Sequence, residues 1–208
     1  MEKRNLGKTD IKLTSIGFGG APLGNLFEEL NETDCFNIVK SCFENNINLY
    51  DTSPLYGYGL SEHRIGNFIK NIDPKSYYLS TKVGRYLTPE RNYYKDGKFK
   101  GHINFIPNFD YSYDGVMKSF DQSIHRLAVP KIDICLIHDV DRYTFGNEVD
   151  HYFKIAMNGA YKALNDLKEQ KVIKAIGVGL NDADICTRFA NEGDFDCMLL
   201  AGRYTLLD

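Results

Sequence analysis

Three charged or ionisable residues stand where short apolar runs stop, and a phenol follows the first of them. Asp51 closes Asn48-Leu49-Tyr50, Lys82 ends Tyr78-Leu79-Ser80-Thr81, and His138 ends Ile134-Cys135-Leu136-Ile137. Tyr56 sits in the loop after Asp51. Singly, each has an ordinary reading: a cap, an exposed strand end, a satisfied core histidine, one of 14 tyrosines doing packing work. Together, at successive strand ends, they suit carbonyl chemistry. Reducing a carbonyl by hydride transfer leaves an alkoxide that must be protonated. A phenol with a pKa of about 10 becomes a better acid beside an ammonium. Lys82 is the candidate ammonium, and Asp51 would fix its position and keep it charged. His138 would donate a hydrogen bond to the substrate oxygen. In the oxidative direction Tyr56 would instead take the alcohol proton.

Elements of two kinds must position these residues. Nearly continuous apolar runs cover 47–50, 77–81, 132–137, 172–178 and 195–201, the pattern of parallel strands covered on both faces. Helical stripes alternate with them. Asn31 to Asp34 caps a helix carrying Cys35, Phe36, Val39, Cys42 and Phe43, and Ser61-Glu62 opens one carrying Ile65, Phe68 and Ile69. Val116 to Leu127 forms a third, a single stripe from Phe153 to Leu167 a fourth, and Asp182 caps a fifth. Before these come a hairpin across 4–16, turning at Gly7-Lys8-Thr9-Asp10, and a strand ending in glycines at Gly20. Strands alternating with helices imply βαβ units, leaving a doubly wound open sheet or a barrel. In a barrel the C-terminal strand ends share one mouth. The polar and aromatic stretch 85–114 shows no period and reads as a long functional loop at that mouth.

Other chemistries find no support. Gly17-Phe18-Gly19-Gly20 and Gly177-Val178-Gly179 are each followed by the wrong residues for a G-x-G-x-x-G dinucleotide fold. No P-loop, nucleophile elbow or H-E-x-x-H is present, and the five histidines lack ligand spacing, so no metal is expected. The net charge of -3, with one short basic stretch at 95–100, does not suit a nucleic-acid partner. The five cysteines form no C-x-x-C and sit among apolar neighbours, as small buried hydrophobes do in a reducing compartment. With no h-region at the N-terminus and no run of membrane-spanning length, a cytoplasmic location without membrane partners is expected.

The residues 51–62, Asp-Thr-Ser-Pro-Leu-Tyr-Gly-Tyr-Gly-Leu-Ser-Glu, resemble the aldo-keto reductase signature, with Ser53 in place of the usual Ala, a small-for-small change. Leu79 to Val83 resembles that superfamily's lysine strand, Leu136 to His138 its histidine strand, and Ala175 to Val178 the strand before its cofactor-contacting loop. Residues 55–62 and 200–208 are most similar to bacterial aldose 1-dehydrogenases, which oxidise sugars or related small aldehydes. The resemblance implies a single α/β domain over 1–208 on a (β/α)8 TIM barrel with an N-terminal hairpin. It also implies catalytic Asp51, Tyr56, Lys82 and His138, and an NADP or NAD cofactor met by Asp51, Asn181, Gly20 and Arg203. The substrate would be a small carbonyl or sugar. Asn181 stands one place later than the usual Ser-Asn pair, and Ala201 stands near the usual glutamine. About six of eight βα units are present in 208 residues, where about 250 are typical, so the sequence is expected to be a fragment of a longer protein. Two rival readings are an aldolase forming a Schiff base on Lys82 and a non-catalytic, cofactor-sensing barrel.

Overall fold

A computed structural model of the chain describes residues 1–92 and 97–206. Lys95 of the short basic stretch and the final Leu207-Asp208 fall outside the described residues. Strands β1 (Lys3–Asn5) and β2 (Lys12–Thr14) pair antiparallel as the expected hairpin. Strands β3 (Phe18–Gly19), β4 (Leu49–Asp51) and β5 (Tyr78–Val83) enter the main sheet, separated by helices α1 (Glu32–Glu44) and α2 (Leu60–Ile69). After β5 come β6 (Arg85–Pro89), β7 (Phe105–Phe109), α3 (Tyr113–Leu127) and β8 (Ile134–His138). Helices α4 (Arg142–Phe145), α5 (Val149–Asn158) and α6 (Ala160–Glu169) lead to β9 (Ala175–Leu180), and α7 (Ala183–Glu192) leads to β10 (Cys197–Leu200).

Six strands form one parallel sheet in the order β10-β9-β8-β5-β4-β3, the curl of a partial α/β barrel. Side-chain alternation sorts its residues into two faces. Tyr50, Leu79, Val83, Cys135, Ile137, Ile176 and Val178 point outward and pack with the helices into the main core. Leu49, Tyr78, Ile134, Leu136, Ala175 and Leu199 point inward, and Ile11 from the hairpin region packs against them, wholly buried. The inward residues at the C-terminal strand ends are therefore Asp51, Lys82, His138 and Gly179. Parallel register sets them side by side: Asp51 pairs with Ser80, Lys82 with Leu136, and His138 with Gly179.

Local signals explain the helix starts. The Asn31 side chain accepts from Asp34 N at 2.8 Å, Ser112 caps α3, and Asp182 caps α7 through Asp184 N and Ile185 N. Two expectations fail. The fourth helical stripe is two helices that meet at Gly159, which lies against the Tyr111 carbonyl so closely that a Cβ there would stand 2.4 Å from it. The stretch after Lys82 is not one long loop: β6 and β7 form an antiparallel hairpin. Gln122 of α3 clamps it, accepting from Leu87 N at 2.9 Å and donating to Leu87 O at 3.0 Å. No helix among the described residues is long and apolar enough to cross a membrane.

Candidate active site

Three of the four residues singled out in the sequence, Tyr56, Lys82 and His138, line one cavity of about 550 Å³ at the C-terminal end of the sheet, and the fourth, Asp51, is bonded to Lys82 behind its wall. Lys82 and Asp51 form a buried ion pair. Lys82 Nζ donates to Asp51 Oδ2 at 2.6 Å and to Thr52 O at 2.8 Å, and Ser80 Oγ donates to Asp51 Oδ1 at 2.8 Å. The lysine is 1% exposed. Gly179 makes room for its stem, since a Cβ there would meet Lys82 Cε at 3.2 Å. Burial alone would discharge the ammonium, but the charges of Asp51 and Tyr56 and the hydrogen bonds they make outweigh it, and the lysine pKa is raised.

Tyr56 reaches the same place from the loop after β4. That loop is held by Tyr56 N donating to Ser53 O and by Ser61 N donating to Tyr56 O. Gly57 turns it with φ +62°, where its Cα side rests against the Gly24 backbone and a Cβ would stand 2.5 Å from Gly24 O. Lys82 Nζ lies 4.7 Å from the Tyr56 ring centroid. The His138 ring meets the Tyr56 ring edge-on at 5.9 Å. Here the expectation of a simply acidified phenol needs correction. Burial raises the Tyr56 pKa, Lys82 pulls it back, Asp51 and Asp139 push it up again, and the net direction is upward. In the resting protein both Tyr56 and Lys82 keep their protons.

His138 is neutral, its pKa held well below the usual imidazole value by burial and then by the charges of Arg85, Lys82 and Lys98. Ser53 Oγ lies 3.0 Å from His138 Nδ1 and accepts from Leu55 N at 3.1 Å, so its own proton is available for the ring. With the Ser53 proton given to Nδ1, the ring hydrogen would sit on Nε2. Asp139 Oδ2 is 3.4 Å from Nε2, and the Tyr111 hydroxyl donates to the His138 carbonyl at 2.6 Å.

The remaining expected contacts separate. Asn181 lines the cavity; its Nδ2 donates to Asp141 Oδ2 at 3.1 Å, while its Oδ1 accepts no hydrogen bond among the described residues and suits the amide of a nicotinamide. Arg203 lies at a neighbouring exposed cleft with Arg142 and Tyr143. Gly20 does not face the cavity. It is buried, its N–H donates to Asp51 O at 2.7 Å, and a Cβ would stand 2.7 Å from Ser61 Oγ. The Ser61-Glu62 pair of the signature is structural. Ser61 Oγ donates to Gly20 O at 2.7 Å, and buried Glu62 joins Thr81 of β5 to Arg126 of α3.

Sequence reasoning did not single out Arg85, Asp139 or the hydroxyl of Ser53. The first two line the cavity as well. Arg85 opens the aperiodic stretch already placed at the mouth, and Asp139 directly follows His138, so position was the available signal.

Comparison with known proteins agrees with this geometry. The sequence model of the Aldo/keto reductase family matches residues 15–208. The chain belongs to the aldo/keto reductase family. It is 39% identical to pyridoxal 4-dehydrogenase of Microbacterium luteolum, over 100% of this chain and 64% of that protein. It is 32% identical to D-threo-aldose 1-dehydrogenase of a Pseudomonas species, over 95% of this chain and 59% of that one. The holo form of an aldo-keto reductase from Bacillus halodurans superposes with a TM-score of 0.71 at 24% identity, over 96% of this chain and 57% of that chain, a likeness of fold. The chain thus spans about 60% of the relatives' length. Family membership makes it an oxidoreductase-family protein with dehydrogenase relatives.

Proposed function

We propose that this chain carries the proton-transfer and oxyanion-binding machinery of an NAD(P)-dependent oxidoreductase that interconverts a carbonyl and an alcohol, oxidising an aldose or reducing a small aldehyde. The observation that carries the reading is the meeting of Tyr56, Lys82 and a neutral His138 at one cavity, with Asp51 paired to the lysine. The nicotinamide, when bound, supplies or accepts the hydride. Asn181 would hold its amide, and Arg203 would lie near its polar remainder. Everything else falls to the chain. Tyr56 would give its proton to the oxygen that gains charge during reduction, and Lys82 would stabilise the phenolate that this leaves. Asp51 keeps Lys82 charged and directed. A neutral His138 with hydrogen on Nε2 would donate to the same oxygen without competing for the proton.

A Schiff-base role for Lys82 is disfavoured. A nucleophilic amine needs a lowered pKa, whereas this one is raised and bonded to a carboxylate at 2.6 Å. The reading is tested by following reduced-nicotinamide absorbance with aldoses and small aldehydes in the wild type and in Tyr56→Phe. The expected result is turnover abolished by loss of the hydroxyl while substrate affinity persists. Undiminished turnover in Tyr56→Phe refutes the assignment.

A further inference from the structure

The turn that follows His138 brings to the cavity a charge that proton transfer does not use. Strand β8 ends with His138 facing inward, so alternation would send residue 139 to the helix side. Asp139 instead has φ +51°, a left-handed conformation that aspartate adopts more readily than most residues. Its N–H donates to Gly179 O at 2.8 Å, which pins the bend. The carboxylate thereby joins the cavity wall, with 15% of the side chain exposed. Its Oδ2 accepts from Arg85 Nη2 at 3.0 Å and stands 3.4 Å from His138 Nε2, while Oδ1 lies 3.4 Å from Asn181 Nδ2. All three neighbours line the same cavity.

On its own this charge works against the reaction. The Nε2 edge of His138 is where the substrate oxygen would be held, and negative charge grows on that oxygen during reduction. A carboxylate at the same edge repels it, and it also pushes the Tyr56 pKa up. Arg85 offsets only part of this, because burial is the larger influence on Asp139 and raises its pKa against the guanidinium. A donor arriving with the substrate would complete the match. An ionised carboxylate only accepts, so a hydroxyl satisfies it and a second anion does not. The hydroxyl that a substrate can carry nearest its reacting oxygen is the one on the adjacent carbon.

We propose that Asp139 is a specificity-determining contact that accepts a hydrogen bond from a hydroxyl on the carbon next to the reacting carbonyl or alcohol. The substrates it selects are α-hydroxy carbonyl compounds and the vicinal diols that their reduction gives. Arg85 holds the carboxylate in place. A substrate with an alkyl group or an ether oxygen at that carbon leaves the carboxylate unpaired beside the growing alkoxide, and a site built to bond a hydroxyl rejects such analogues for that reason. The inference rests on the carbonyl–alcohol reading for its orientation, and its spectroscopic arm is independent of turnover.

The test measures kcat/KM, referred to free aldehyde, for glycolaldehyde, methoxyacetaldehyde and propanal with reduced nicotinamide. The first two share an electron-withdrawing oxygen and differ in the donor. Wild type should prefer glycolaldehyde to each of the others by roughly 10- to 100-fold, the range for one hydrogen bond to a charged group. Asp139→Leu should collapse that preference, slowing glycolaldehyde and speeding propanal, because the repelling charge is gone. Asp139→Asn keeps the shape and an acceptor without the charge; its preference should fall between, and it serves alone if the leucine variant does not fold. Uniform damage would lower all three rates and leave the ratios unchanged. No donor preference in wild type, or a preference that the variants leave intact, would overturn the proposal. Turnover of none of the three would defeat the carbonyl–alcohol reading, and 13C-carboxyl NMR of Asp139 without cofactor, assigned through Asp139→Asn, then decides the contact alone. Ethylene glycol should lower the Asp139 pKa, as bonding to the charged form does, and 1,2-dimethoxyethane should not; equal responses would overturn the contact as well.

Discussion

Replacing Lys82 by methionine isolates the electrostatic link on which the proton transfer depends. The Lys82 ammonium sits 4.7 Å from the centre of the Tyr56 ring. Two unit charges at that separation, in an effective dielectric of about 20, interact by about 3.5 kcal/mol. The ammonium pulls the Tyr56 pKa down against burial, so Lys82→Met should move it further up. Oxidation needs the phenolate, and at any pH below the pKa its fraction should fall roughly 400-fold. The alkaline limb of the oxidation profile should move to higher pH. Reduction starts from a phenol that is already protonated, so its neutral-pH rate should fall much less. The paired assay is the pH–rate profile in both directions, with 13Cζ-tyrosine NMR, assigned through Tyr56→Phe, as a cofactor-free measure of the same ionisation. Lys82→Met strands the Asp51 carboxylate, a change that destabilises by about 3–5 kcal/mol when fully buried, so the double variant Asp51→Asn/Lys82→Met serves as control. It should keep an upward Tyr56 shift, smaller because Asp51 no longer pushes in the same direction. Equal losses in both directions with an unmoved oxidation profile would refute the electrostatic argument.

Three further outcomes follow from the same geometry. Two-bond 1H–15N spectra should show His138 with hydrogen on Nε2, because Ser53 Oγ accepts from Leu55 N and has its own proton to give to Nδ1, 3.0 Å away; Ser53→Ala should reduce stability by about 1–3 kcal/mol and slow turnover, whereas a hydrogen on Nδ1 in wild type would contradict the assignment. His138 has a folded pKa below its unfolded value of about 6.5, so the unfolded chain takes up a proton that the native ring refuses. Stability should be full above that value and erode by up to about 1.4 kcal/mol per unit as pH falls toward the folded pKa; urea melts should show a shallower acid limb for His138→Gln, and identical slopes would count against a buried neutral ring. Arg126→Met should cost about 3–5 kcal/mol by leaving buried Glu62 without its cation, and Glu62→Gln/Arg126→Met should recover part of that in the same melts.

The parallel architecture was legible because its strands are apolar on both faces and each ends in a residue that does not belong in a core. Asp51, Lys82 and His138 announce themselves by ending such runs, and alternation then places all three on the inward face. Caps at Asn31 and Asp182 were legible for the same local reason, a side-chain oxygen ahead of an apolar stripe. The β6–β7 hairpin was not. Neither strand shows clean alternation, and the contact that clamps it comes from Gln122 on a helix far along the chain. The break at Gly159 was hidden because the apolar stripe continues through it, while the Tyr111 carbonyl that packs against it comes from a distant part of the chain. Gly20 reads as a cofactor contact by resemblance, yet its backbone is committed to Asp51 and Ser61.

What the sequence conveys least well is the balance of charge against burial. Residue types alone place an ammonium beside a phenol and suggest an acidified tyrosine. Coordinates add the loss of water around both, and burial is the larger influence on Tyr56. The resting protein therefore holds neither a phenolate nor a free amine, since the Lys82 pKa is raised as well. Such a pair does not ionise on its own near neutrality. It yields its proton when negative charge develops on an oxygen held by His138, and in the oxidative direction only the fraction already ionised to phenolate can take the proton of an alcohol. By this argument Asp51 does more than hold a lysine. Without it, burial would discharge Lys82, and a neutral amine under the ring would leave the phenol with nothing to stabilise its anion in either direction.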